Sequence, residues 1–253
     1  MKPRMMPALS GLIAIAACTD AGPTSISESR SVNLSPNVST AAAAAATHRY
    51  RVTLENRTTG QVFSPGVIAT HTEAAIVWRV GAAASEGIRA IAEDGDQAVA
   101  VAELTGAPGI FDVVDINMPT NRIGGGAPFP TTRTFEINAS ANANRLSLAV
   151  MIICTNDGFT GLSSVKLPGG FKAEVHDVGA WDAGTEQNNE KFDQIVDPCT
   201  MAGPVPAAPD GNGRVPTQGV ILPHANIQGV GDLSVALHGW RFPVARITVQ
   251  RIQ

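Results

Sequence analysis

The sequence predicts a mostly β protein: an antiparallel β-sandwich with one or two short helices beside it. Three observations carry this expectation. Several short stretches alternate apolar and polar residues, the period of a strand with one buried face. Turn-forming residues separate them, with Gly 25 and Pro 17 in a chain of 253 residues. No long amphipathic helix lies between them.

Residues 50–55 alternate and run into the turn Asn56-Arg57-Thr58-Thr59-Gly60, and residues 75–80 read as a second strand. Ser85 is placed to cap a short helix that carries Ile88 and Ile91 on one face and that Gly95 can end. Further strands are expected over 111–116, 131–138 and 145–154, the last apolar enough for an interior position. Residues 124–130 read as an open turn, and Gly161-Leu162-Ser163-Ser164 as a loop and strand start. Residues 171–178 alternate again, and the Pro- and Gly-rich stretch 197–223 is expected to be an extended surface loop. Strands over 233–237 and 244–252 close the domain, the second with Ala245, Ile247 and Val249 opposite Arg246, Thr248 and Gln250.

Residues 1–17 read as a signal peptide, with Lys2 and Arg4 ahead of an apolar stretch too short to span a bilayer. Ile15-Ala16-Ala17-Cys18 looks like a lipobox, with Ile where Leu is usual, so that Cys18 is expected to carry lipid as a membrane anchor. An ordinary signal peptide with a Cys near the cut is the alternative. Residues 18–47, rich in Ser, Thr, Asn, Pro and Ala, read as a flexible tether to a domain over 48–253. With Cys18 lipidated, Cys154 and Cys199 remain as an even pair in an oxidising compartment, either bridged, the favoured reading, or two buried thiols. The charge is −4, with 16% charged residues and no Lys/Arg cluster, which argues against a nucleic-acid partner.

The chemistry-bearing residues are acidic. Asp182 and Glu186 bracket the turn Ala183-Gly184-Thr185, where Gly184 can take a positive φ and let both carboxylates fold back to one point. Asp157, in TNDGFTGL, is a candidate third member. Oxygen ligands with no Cys or His of metal spacing beside them suit a hard cation, calcium before zinc. The alternative is a solvated acidic surface.

The segments NDGFTGL, WDAGTE and PVARITVQRI resemble the spondin domain, the N-terminal module of F-spondin and mindin that also occurs in bacterial secreted proteins. Residues 56–72, 84–96 and 224–233 follow the bacterial form of that domain in the same order, so the resemblance covers roughly residues 48–253. It implies a helix beside the sheet at 84–96, and calcium ligands at Asp157, Asp182 and Glu186. Glu186 stands where animal members commonly have Asp, and Gly158-Phe159 where they favour Trp-Phe. Animal relatives are matrix and cell-surface proteins, which implies adhesion to a protein or glycan at the cell surface.

An enzyme is not expected. The five histidines form no HExxH pattern, and GxSxG is absent. His71 beside Glu73, and His176 beside Asp177, have the residue types for acid–base work. Paired carboxylates for glycoside hydrolysis are the stronger rival, but one Tyr, three Trp and eight Phe are few for a sugar cleft. The expectation is an exported, calcium-binding, non-enzymatic binding or adhesion module. The lipid holds it to the cell envelope, with secretion if the lipobox is not used, and its membrane contact is through that anchor alone. A structural envelope lipoprotein without a specific ligand, or a carboxylate-dependent hydrolase, are the alternatives.

Overall fold

The computed structural model describes residues 47–117, 122–125, 129–199 and 213–253. The signal peptide, Cys18 and the tether up to residue 46 lie outside the described residues, as do 126–128 of the expected open turn and 200–212 of the expected surface loop.

The chain folds into two antiparallel sheets. Strand β1 (Thr47–Asn56) buries Tyr50, Val52 and Leu54 and turns Arg51, Thr53 and Glu55 outward, the alternation read from the sequence. It pairs with β11 (Ala245–Arg251) on one side and β5 (Thr132–Ser140) on the other, and β8 (Glu174–Val178) lies beyond β11. The second sheet runs β10 (Leu222–Pro223), β9 (Ala180–Asp182), β7 (Gly158–Lys166), β6 (Arg145–Ile152), β2 (Val62–His71) and β3 (Ile110–Ile116), with β4 (Ile123–Gly124) also paired to β2.

Side chains from both sheets interdigitate: Val52, Leu54, Ile137, Ile247 and Val249 meet Phe63, Ile68, Leu148 and Val150. Helices α1 (Glu86–Asp94) and α2 (Gln97–Leu104) cover the far face of the second sheet, where Ile88, Ile91, Ala100 and Leu104 pack with Val67, Met151 and Phe159. A sheet covered on both faces needs strands that are apolar throughout, which is how β2 and β6 read.

Helix α1 starts and stops where its caps dictate. Ser85 Oγ accepts from Ile88 N at 3.3 Å, and Gly95, at φ 63°, returns its N–H to Ile91 O at 2.9 Å. Four expectations are corrected. Residues 75–80 are irregular, not a strand, because Val77 and the adjacent Trp78 both bury and Trp78 Nε1 donates to Leu148 O at 3.1 Å. The segment 171–178 becomes a strand only at Glu174; Phe171 is exposed beneath the Arg251 guanidinium. Residues 161–164 lie inside β7. The closing segment 233–237 runs into a helical turn, α3 (Val235–His238); Leu233 ahead of it is buried while Val235 and Leu237 face solvent.

Candidate metal centre

Asp157 sits in the turn between β6 and β7, and that turn is held from three directions. The disulfide Cys154–Cys199 anchors it, with Cα atoms 5.0 Å apart. The Gln61 side chain accepts from Cys154 N at 3.0 Å while its amide nitrogen donates to His238 O at 2.6 Å. Thr155 Oγ1 accepts from Gly158 N at 2.9 Å.

Asp182 reaches this place through β9. That short strand pairs with β7 in a register that sets Asp182 opposite Gly158, and Ala183 N donates to the Asp157 carbonyl at 3.1 Å. The strand that brings Asp182 beside Asp157 is therefore β9, which Asp182 ends, and not the 171–178 stretch, whose β8 belongs to the other sheet. Gly184 then turns the chain at φ 73°, where a Cβ would come within 2.7 Å of the Val220 backbone. The turn aims two amides at Asp157: Thr185 N and Glu186 N donate to its Oδ2 at 2.7 and 3.0 Å.

The result is a buried acidic corner. Asp157 is 0% and Glu186 3% exposed, while Asp182 is half-buried and accepts from Gly184 N at 2.7 Å and from the Asn188 amide. Two carboxylate oxygens, Asp157 Oδ1 and Glu186 Oε2, are shut away from solvent with no hydrogen-bond donor. Burial, reinforced by the Asp182 charge, pushes the Asp157 carboxyl up to about 6. Burial pushes Glu186 up to about 8, against the opposing pull of Asn156 and Arg214.

The three carboxylates do not share one point in this arrangement. Among the described residues, the group with metal-ligand atoms mutually within 4.8 Å is Cys154, Cys199 and His238, and its two sulfurs are already bonded to each other. Glu186 is instead divided between neighbours: Oε1 accepts from Asn156 Nδ2 at 3.0 Å, and Oε2 lies 3.6 Å from Arg214 Nε.

A folded-state carboxyl raised from 4.5 to about 8 stabilises the fold fully below about 4.5 and loses that contribution as the pH climbs through about 8. Thermal melting in chelator is expected to fall across this window, and Glu186→Gln, which does not titrate, to flatten the dependence. An unchanged slope in the variant would assign the titration elsewhere.

Asn156, Glu190 and Arg214 were not singled out from the sequence. Asn156, 1% exposed, bonds Glu186 and also accepts from Glu190 N at 3.0 Å. Glu190 takes Gln228 N and, at 2.9 Å, Val230 N on its carboxylate, so the loop that follows β10 is tied to the acidic corner. The available signal was a polar run, Thr155-Asn156-Asp157, directly after an apolar interior strand. His71 is fully buried with its ring nitrogens against Thr72 O and Ser147 Oγ, and His176 lies on β8 in the other sheet. His224 Nδ1 accepts from Asn226 N at 3.0 Å, its ring edge-on to Trp240, and burial holds its pKa below the usual value.

Residues 55–192, more than half of the chain and inclusive of all three acidic candidates, match the family model described as Spondin_N. The chain belongs to the spondin N-terminal domain family. Compared with curated proteins, it matches none. Membership of the spondin family points to an extracellular binding module. No helix among the described residues is long and apolar enough to cross a membrane. The match ends before Arg214, so the segment that places a guanidinium against Glu186 lies beyond the part of this spondin domain that the family model covers.

Proposed function

We propose that this spondin domain is an exported, non-enzymatic binding or adhesion module whose acidic rim takes calcium, held to the cell envelope through Cys18. One observation supports the metal above all: two buried carboxylate oxygens, Asp157 Oδ1 and Glu186 Oε2, neither of which accepts a hydrogen bond. A buried carboxyl oxygen without a hydrogen bond is costly to hold, and a cation bound directly to it offsets that cost; Glu186 Oε2 has only the Arg214 charge, at 3.6 Å, in that place. The donors around them are carboxylates and a side-chain amide, the oxygen-rich chemistry that a hard cation prefers. Asp157, Asp182 and Glu186 would hold the ion, Glu186 by turning its Oε2 away from Arg214. The ion supplies positive charge that offsets the mutual repulsion of the three.

This chain's own residues then carry the effect to the surface. Asn156 links Glu186 to Glu190, and the Glu190 carboxylate fixes Gln228 N and Val230 N. Val230 is 69% exposed and Leu222, on β10 opposite Asp182, 51%. An ordered rim bearing exposed apolar residues is suited to contact a protein or glycan at the cell surface.

Calcium at a hundredfold excess over its Kd is expected to stabilise the wild type by about 2.7 kcal/mol relative to chelator. For a domain of this size the melting temperature then rises by roughly 5 to 10 °C. Asp182→Ala is expected to melt at the same temperature in both conditions. Equal midpoints for the wild type with calcium and with chelator would remove the metal from the account.

A further inference from the structure

Arg214 stands between the acidic corner and helix α1. Its Nη1 lies 2.6 Å from Asp94 Oδ1 and 3.8 Å from Glu93 Oε2, its Nη2 donates to Glu93 O at 3.0 Å, and its Nε faces Glu186 Oε2 at 3.6 Å. The Nε–H of Arg214 and the Oε2 of Glu186 are both shut from solvent and neither makes a hydrogen bond, so the pair is held by charge alone. Backbone pairing fixes the guanidinium there. Gln187 N donates to Val215 O at 2.9 Å and Thr217 N to Thr185 O at 2.8 Å, so the Arg214 strap runs alongside the turn that carries the acidic residues.

Resting on the cation reading above, we propose that Arg214 is a built-in counter-cation that competes with the metal for Glu186 and sets how tightly the site binds it. Loading a divalent ion adds positive charge to this corner whether Glu186 begins ionised or protonated, since the ion brings two charges and at most one proton leaves Glu186. A guanidinium in ion-pair distance of one ligand therefore opposes loading in either case, and the opposition is strong because the contact is desolvated. The ion and Arg214 are alternative partners for the same oxygen. When the ion holds Glu186, Arg214 keeps Asp94 and Glu93, so α1 retains its link to the strap, the backbone bonds between strap and acidic turn remain, and only the Arg214–Glu186 contact is given up.

Calorimetric titration of calcium chloride into the wild type, Arg214→Gln and Arg214→Lys tests this, with folding of each checked by circular dichroism in chelator. Arg214→Gln is expected to bind calcium about tenfold tighter than the wild type and to melt lower in chelator. Arg214→Lys, which keeps the charge, is expected to bind within about threefold of the wild type. A merely structural role for Arg214 predicts the reverse, weaker binding in Arg214→Gln from a loosened turn. Wild-type binding with no tightening in Arg214→Gln overturns this inference and leaves the calcium reading standing. Absence of binding in both proteins overturns the two together. Binding in Arg214→Gln alone supports the competition outright.

Discussion

Replacing Asp157 with Ala is expected to lower stability in chelator by about 3 kcal/mol and to abolish any response to calcium. The two effects have different origins, and a second substitution separates them. Oδ2 of Asp157 accepts Thr185 N and Glu186 N, so Ala strands two amides inside a turn that burial shuts from water. Oδ1 accepts nothing and is the oxygen offered to a cation. Asn keeps a carbonyl oxygen for the two amides and puts an NH2 group where Oδ1 stood. Asp157→Asn is therefore expected to melt in chelator close to the wild type, yet to show no rise with calcium, whereas Asp157→Ala falls by roughly 6 to 12 °C in both conditions. A calcium-responsive Asp157→Asn would show that the ion is held without this residue.

Loss of the Cys154–Cys199 bridge is the other large effect. The two residues are 45 apart in sequence, and releasing a loop of that length returns enough freedom to the unfolded chain to cost about 4 kcal/mol in the entropic account. The double substitution Cys154→Ser, Cys199→Ser also puts two hydroxyls where both positions are 0% exposed, which adds to the loss. Cys154 is three residues before Asp157, so the bridge also steadies the acidic turn. Calcium affinity is expected to fall with stability in the double variant. Retained affinity would mean that Gln61 and Thr155 hold the turn by themselves.

Much of this architecture could be read from residue order alone, for identifiable reasons. Strands β1 and β11 each bury one face, so their period-2 patterns are visible, and α1 announces itself through Ser85 and Gly95. Strand β2 hid because Ser64-Pro65-Gly66 reads as a turn. In the fold it is a bulge, with a register shift between Phe63 and Gly66 and Met151 N donating to Ser64 Oγ at 3.0 Å in place of a ladder bond. Helix α2 hid because QAVAVAEL is apolar nearly all round and shows no single face. At the site, the acidic residues were legible as residue types and Gly184 as a tight turn, but that turn aims the Thr185 and Glu186 amides at Asp157 instead of bringing the Asp182 and Glu186 carboxylates to one point. The neighbours of these acidic residues were not legible. Strand β9 has three residues, too few to show a period, and it alone brings Asp182 to Asp157. Arg214 arrives from a Pro-rich stretch with no helical or strand pattern, and only the pairing of its strap with residues 184–187 reveals where its charge goes.

Strand β1 lies between β5 and β11, so the first strand of the domain leans on the last. During synthesis or export, the β1 edge that will meet residues 245–251 stays open until those residues emerge, and Val52 and Leu54 wait uncovered by Ile247 and Val249. Contacts so far apart in sequence favour slow, whole-chain folding. A nascent spondin domain of this kind therefore keeps one edge of β1 open until residues 245–251 arrive, and that edge is where pairing with a neighbouring chain would begin.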